Sequence, residues 1–127
     1  LVGGRHLAAL LADHPLVAMV APISGIFDLE PIRQTRYYHA LKLTDAEVDA
    51  LSPLRLDPVA KPHLTFVGGL ELPELRRQSL AFSQRRVGAR DGFYEIAGRH
   101  HFDVLDELIA PEGMIFLEIA RNFEALF

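Results

Sequence analysis

The chain has 127 residues, of which 50% are apolar and 24% charged, and its formal net charge is −4. That length fits a single α/β-sized domain over residues 1–127 that buries roughly two thirds of the surface its unfolded form exposes; the composition excludes disorder and gives no electrostatic basis for nucleic acid or an acidic lipid surface as partner. The absence of cysteine excludes disulfides and thiolate metal sites.

Gly3-Gly4 leads into Arg5 to Ala12, an alanine- and leucine-rich stretch that predicts a buried helix ending before Asp13-His14-Pro15. Leu16 to Ile23 lacks polar alternation and carries the β-branched Val17, Val20 and Ile23, which predicts a fully buried strand closed by Ser24-Gly25. The apolar run from Leu16 to Ile26 is interrupted by Pro22 and falls short of the about 20 residues a membrane span needs. With no signal segment recognised at its start, the chain is expected to be soluble and cytoplasmic. Ile26 to Ile32 reads as a loop or short turn broken by Pro31, and Tyr37 to Leu41 as a helical turn. Thr44-Asp45-Ala46-Glu47 has capping-box spacing, which predicts a short helix to Leu51 that Ser52-Pro53 ends.

His63 to Gly68 is a second predicted strand, followed by the Gly68-Gly69 turn, Glu71, and a helix from Pro73 to Val87 with Leu75, Leu80 and Phe82 on its buried face and Gly88 beyond its end. Gly92 to Ile96 is a third strand, stopped by Ala97-Gly98. Asp103 to Ile109 and Pro111 to Phe127 are the last two helices, with Pro111 in a first turn. Strands separated by helical connections imply an α/β fold with a short parallel sheet of about three strands.

In a parallel sheet the loops after the strands share one edge. Those loops carry Ser24-Gly25, Glu71 and His100-His101. A carboxylate and an imidazole thirty positions apart thereby become candidate neighbours. They would form the acid-then-histidine half of a nucleophilic triad, in which the acid fixes the imidazole tautomer and the imidazole takes the nucleophile's proton. Each residue also has a plainer role. Glu71 can serve as a carboxylate at a helix N-terminus, and the histidines as solvated loop residues. A metal pair is disfavoured because adjacent histidines point apart and no third ligand is suitably spaced, so neither metal nor cofactor is expected. Ser24 lacks the glycines of a GxSxG elbow and reads as a turn residue. Arg76, Arg77, Arg85, Arg86 and Arg90 read as a solvated basic surface.

Ser24-Gly25-Ile26-Phe27-Asp28-Leu29-Glu30-Pro31-Ile32, then Ser52-Pro53, then the Val67 to Ser79 run VGGLELPELRRQS, and then Gly98-Arg99-His100-His101-Phe102-Asp103 together resemble the C-terminal half of a kynurenine formamidase (arylformamidase)-type α/β hydrolase. The resemblance extends from about Gly3 to the last helix. It implies the distal part of a three-layer α/β/α fold and a small carboxylic ester or aryl formamide as substrate. It also implies a serine–acid–histidine triad in which Glu71 is the acid, His101 the base and His100 a loop neighbour.

The sequence departs from the family at the nucleophile elbow, which reads like GHSAGGHLAA in the family and falls here on Leu1 to Ala9. Val2 stands at the serine position, or Leu1 if one residue is inserted, and neither can act as a nucleophile. The resemblance places the family's earlier strands and HGG-type oxyanion loop ahead of residue 1. Two expectations follow: descent from an ester or formamide hydrolase, and a serine-less chain that is inactive alone and serves as a binding or assembly module. With the Leu16 to Ile23 strand at a sheet edge, a homodimer paired through that edge is expected.

Overall fold

A computed structural model of the protein describes residues 12–36 and 39–126. The helix expected from Arg5, and with it Leu1 and Val2, lies outside the described residues apart from Ala12, which sits buried in a turn. The fold is mixed α/β around a small parallel sheet. β1 (Leu64–Gly68) pairs with β2 (Gly92–Ile96) in a register that sets Leu64 opposite Gly92 and Gly68 opposite Ile96.

The regular sheet has two strands where about three were expected. Leu16 is 88% exposed, and the stretch after it pairs with His63 and β1 as isolated parallel bridges, Val20 to His63 and Ile23 to Phe66. Pro22 accounts for the interruption. Val20 donates to the Pro62 carbonyl at 2.9 Å and Ser24 to the Phe66 carbonyl at 2.9 Å. The donor due between them falls on residue 22, where proline has no N–H to give. The Pro22 carbonyl still accepts from Phe66 at 2.9 Å, so the segment follows β1 without becoming a continuous strand.

β1 is buried along its whole length, as its largely apolar character, with Thr65 the exception, leads one to expect. Leu64 and Phe66 turn toward Ile96, Val104 and Ile115, with Met19, Ala21 and Ile23 packed alongside. Thr65 and Val67 alternate to the other face and are equally buried. A second core forms where α1 (Leu29–Arg33) meets α2 (Asp45–Leu51), through Ile26, Leu29, Ile32, Val48 and Leu75.

The capping box of α2 forms as its spacing predicts. Thr44 Oγ1 accepts from Glu47 N at 3.2 Å, and Glu47 Oε2 accepts from Thr44 N at 2.8 Å. α1 replaces the expected loop because Asp28 caps it, accepting from Glu30 N at 3.0 Å, and Pro31 falls in its first turn, where a missing N–H costs nothing. Short 3₁₀ turns occupy His39–Leu41 and Pro53–Arg55.

α3 (Pro73–Gln84) connects the two strands and packs on β1. It stops at Arg85, short of Val87. Arg86 then turns inward, its side chain only 6% exposed, and donates to the carbonyls of Val59 at 2.6 Å and Lys61 at 2.8 Å. It is therefore part of the interior, in contrast to the solvated role expected for the arginine cluster. Arg76 and Arg77 do lie outside, paired with Glu95 and Glu74. α4 (Asp106–Ile109) is shorter than expected because residues 101–105 form turns. α5 (Met114–Glu124) begins after Gly113, leaving Pro111 in the preceding turn. Glu107 Oε2 accepts from Met114 N at 2.9 Å and satisfies one of the N–H groups that open α5.

Candidate active site

The carboxyl ends of β1 and β2 are fastened to each other by main chain. Gly69 N donates to the Ile96 carbonyl at 2.8 Å and Leu70 N to the Arg99 carbonyl at 2.9 Å. The approach is close enough that a β-carbon on Gly68 would run into the Arg99 carbonyl oxygen. Only glycine permits it. Gly98, at φ +75°, supplies the left-handed residue that turns the chain after β2 toward His100 and His101.

Glu71 lies in the turn after β1 with its side chain fully buried. Its N–H bonds back to the Gly68 carbonyl at 3.2 Å, and its Oε1 accepts from Gly68 N at 2.9 Å, so the carboxylate folds over its own turn. Oε2 is left facing His101, whose Nδ1 stands 2.9 Å away. A carboxylate can only accept, so Nδ1 carries the proton in this contact and Nε2 is the ring's basic nitrogen. No described residue bonds Nε2, and the His101 side chain is 39% exposed.

His100 goes elsewhere. Its N–H donates to Asp103 Oδ1 at 2.7 Å and its ring Nε2 lies 3.4 Å from Asp103 Oδ2. Of the adjacent histidines, one therefore meets the buried acid and the other a partly exposed aspartate. The loop that carries both is braced by Arg99, whose Nε and Nη2 donate to Glu107 Oε1 at 2.9 and 2.6 Å. The Met114 N–H and then the Arg99 guanidinium hold the Glu107 carboxyl below the usual range. Phe102, 88% exposed, sets its ring edge-on to His101 at 5.6 Å.

Ser24 is buried at the same edge, 3% exposed. Its φ of +51° suits the turn role expected of it, but its hydroxyl also donates to Glu71 Oε1. The hydroxyl is thus committed to the acid, which rules it out as a stand-in nucleophile for His101. Sequence reasoning placed Ser24 on the right edge and missed this bond; the available signal was its position directly after a predicted strand in that shared edge.

Gln78 was missed entirely. From α3 its Oε1 accepts from Phe27 N and Asp28 N, both at 2.8 Å, while Nε2 donates to the Asp28 carbonyl at 3.0 Å. It pins the loop that follows Ser24. A glutamine in a charged helix gives no sequence signal of that kind. Among the described residues no cluster of three or more histidine, aspartate or glutamate side chains could hold a metal.

The fold is that of a mixed α/β protein with a small parallel sheet. No family model matches the chain. It is similar to the kynurenine formamidase of Danio rerio, with 25% identity over 122 residues that cover 84% of this chain and 42% of that protein. Among solved structures it is similar to a candidate thioesterase from Silicibacter sp., with a TM-score of 0.77 and 25% identity over 91% of this chain and 47% of the other. The chain thus spans less than half the length of either relative. Both relatives carry hydrolase names, which supports a hydrolase-like relationship.

Proposed function

We propose that the chain contributes the acid and the base of a serine–acid–histidine hydrolase acting on a small carboxylic ester or aryl formamide, with Glu71 as acid and His101 as base. The observation that carries this reading is the 2.9 Å contact between Glu71 Oε2 and His101 Nδ1, made by a buried carboxylate to a partly exposed ring. In such a site the acid holds the ring with Nε2 outward. Nε2 takes the proton of a serine hydroxyl as it attacks the carbonyl, then delivers that proton to the departing alcohol or amine. The names of the two relatives, a formamidase and a candidate thioesterase, agree with acyl transfer as the reaction class.

A second reading rests on Val2, which the resemblance sets at the serine position: the 127-residue chain is a serine-less module that binds or assembles without turning over. One set of measurements addresses both. In a form of the protein that carries a triad serine, Glu71→Gln and His101→Ala should each lower kcat by something on the order of 10⁴; full activity in both variants rejects the assignment. Hydrolysis of a p-nitrophenyl ester or N-formylkynurenine by the purified chain, above a heat-treated control, rejects the serine-less module.

A further inference from the structure

We infer that Ser24 is a positioning residue for the acid, a fourth member of the site whose hydroxyl sets which carboxylate oxygen is left for His101. The inference rests on the pairing of Glu71 with His101 described above. Glu71 Oε1 receives two donors, the Ser24 hydroxyl and the Gly68 N–H at 2.9 Å, while Oε2 receives the His101 ring alone. Among the described residues these are the donors the carboxylate meets, and two of them converging on one oxygen fix both the rotation of the carboxylate about its last bond and its tilt. The Gly68 donor lies at the end of β1, three residues before the acid. The Ser24 donor comes from 47 residues away in sequence and ties the carboxylate to the body of the fold.

The hydroxyl is itself held from several sides. Ser24 N donates to the Phe66 carbonyl at 2.9 Å, the next residues are clamped by Gln78, and Phe27 stacks on Phe82 with ring centroids 4.1 Å apart. A backbone at φ +51° is uncommon for a residue with a β-carbon, and glycine would adopt it freely. A serine kept there serves something that glycine would not, and its side chain has one observed partner, Glu71.

That conflict between backbone and side chain supplies the test. If Ser24 is only a turn residue, Ser24→Gly is neutral or stabilising and leaves His101 unchanged. If it positions the acid, Ser24→Gly keeps the turn and disturbs the ring. The readout is the ¹⁵N chemical shifts of the His101 imidazole nitrogens in the full 127-residue chain, assigned with His101→Ala, which report the share of neutral ring protonated at Nδ1. The parent chain should show the Nδ1–H tautomer in excess. Ser24→Gly should lower the Nδ1–H to Nε2–H ratio by about five-fold, the equilibrium weight of roughly 1 kcal/mol, with the thermal midpoint held or raised. An unchanged ratio in a folded Ser24→Gly chain overturns the role of Ser24 and leaves the pair standing. A parent chain that already favours Nε2–H overturns the pair, and this inference with it.

Discussion

At the scale of single residues, the protein separates groups that composition and spacing treat as equivalent. His100 and His101 differ by one position, yet only the second reaches the buried acid, because the turns over residues 101–105 rotate consecutive side chains to different sides. His63 shows the same dependence on setting. It is 4% exposed at the start of β1, with Nδ1 2.7 Å from the Lys61 carbonyl.

Burial pushes the His63 ring below its usual 6.5; the nearby Arg86 adds to this, while the Lys61 carbonyl and Asp91 oppose it. The folded protein therefore binds a proton here less readily than the unfolded chain. Stability from this group is fully present above pH 6.5 and declines as pH falls below that value toward the lower folded pKa. The thermal midpoint of the parent should fall between pH 7.5 and 5, and the fall should be smaller in His63→Gln. Equal slopes would show that His63 takes no part in the loss.

At the scale of elements, what was legible in the sequence was whatever is encoded locally. The capping box of α2, the glycine stops after β1 and β2, and the β-formers of both strands each depend on neighbours a few positions away. What was not legible depended on partners far along the chain. Leu16 to Ile23 is apolar enough for a buried strand, but its pairing is decided by whether residue 22 can donate to β1, and proline cannot. α1 hid behind Pro31, which reads as a breaker until Asp28 is seen capping the turn. The contact between Glu71 and His101 was legible in two parts, parallel topology bringing Glu71 to the edge that holds both histidines and the resemblance choosing His101 between them, whereas the Ser24 bond needed the direction of one hydroxyl.

Gln78 is the clearest case of an element whose value lies in a long-range tie. Replacing it by leucine leaves the Phe27 and Asp28 N–H groups without their acceptor. At about 1–3 kcal/mol for each donor left unsatisfied, Gln78→Leu should cost roughly 2–6 kcal/mol, nearer the lower end because the Asp28 N–H is only partly buried. The urea midpoint measures this directly, and a loss below about 1 kcal/mol would mean the loop finds other acceptors.

At the scale of the whole molecule, no helix among the described residues is long and apolar enough to cross a membrane. The segment beside β1 bonds it through residues 20, 22 and 24, while among the described residues the N–H groups of Met19, Ala21 and Ile23 meet no acceptor. We propose that this outer side pairs with a second copy of the chain, since open strand edges tend to find a partner. Sedimentation equilibrium at tens of micromolar (on the order of the concentrations used for such association) should show a dimer. A strictly monomeric, soluble chain at that concentration would refute self-pairing through this edge.

The fastening of the two strand ends has a consequence for how such a site can change over time. Its hinge points are amides and carbonyls of Gly69, Leu70, Ile96 and Arg99, atoms that every amino acid except proline possesses. Other side chains on either loop can change while the fastening of the two strand ends stays intact; a side chain at Gly68, where any added carbon meets the neighbouring strand's exit, or a proline at Gly69 or Leu70 breaks it. The relative placement of the two loops is in that sense carried by main-chain architecture, and it tolerates change in the side chains around it.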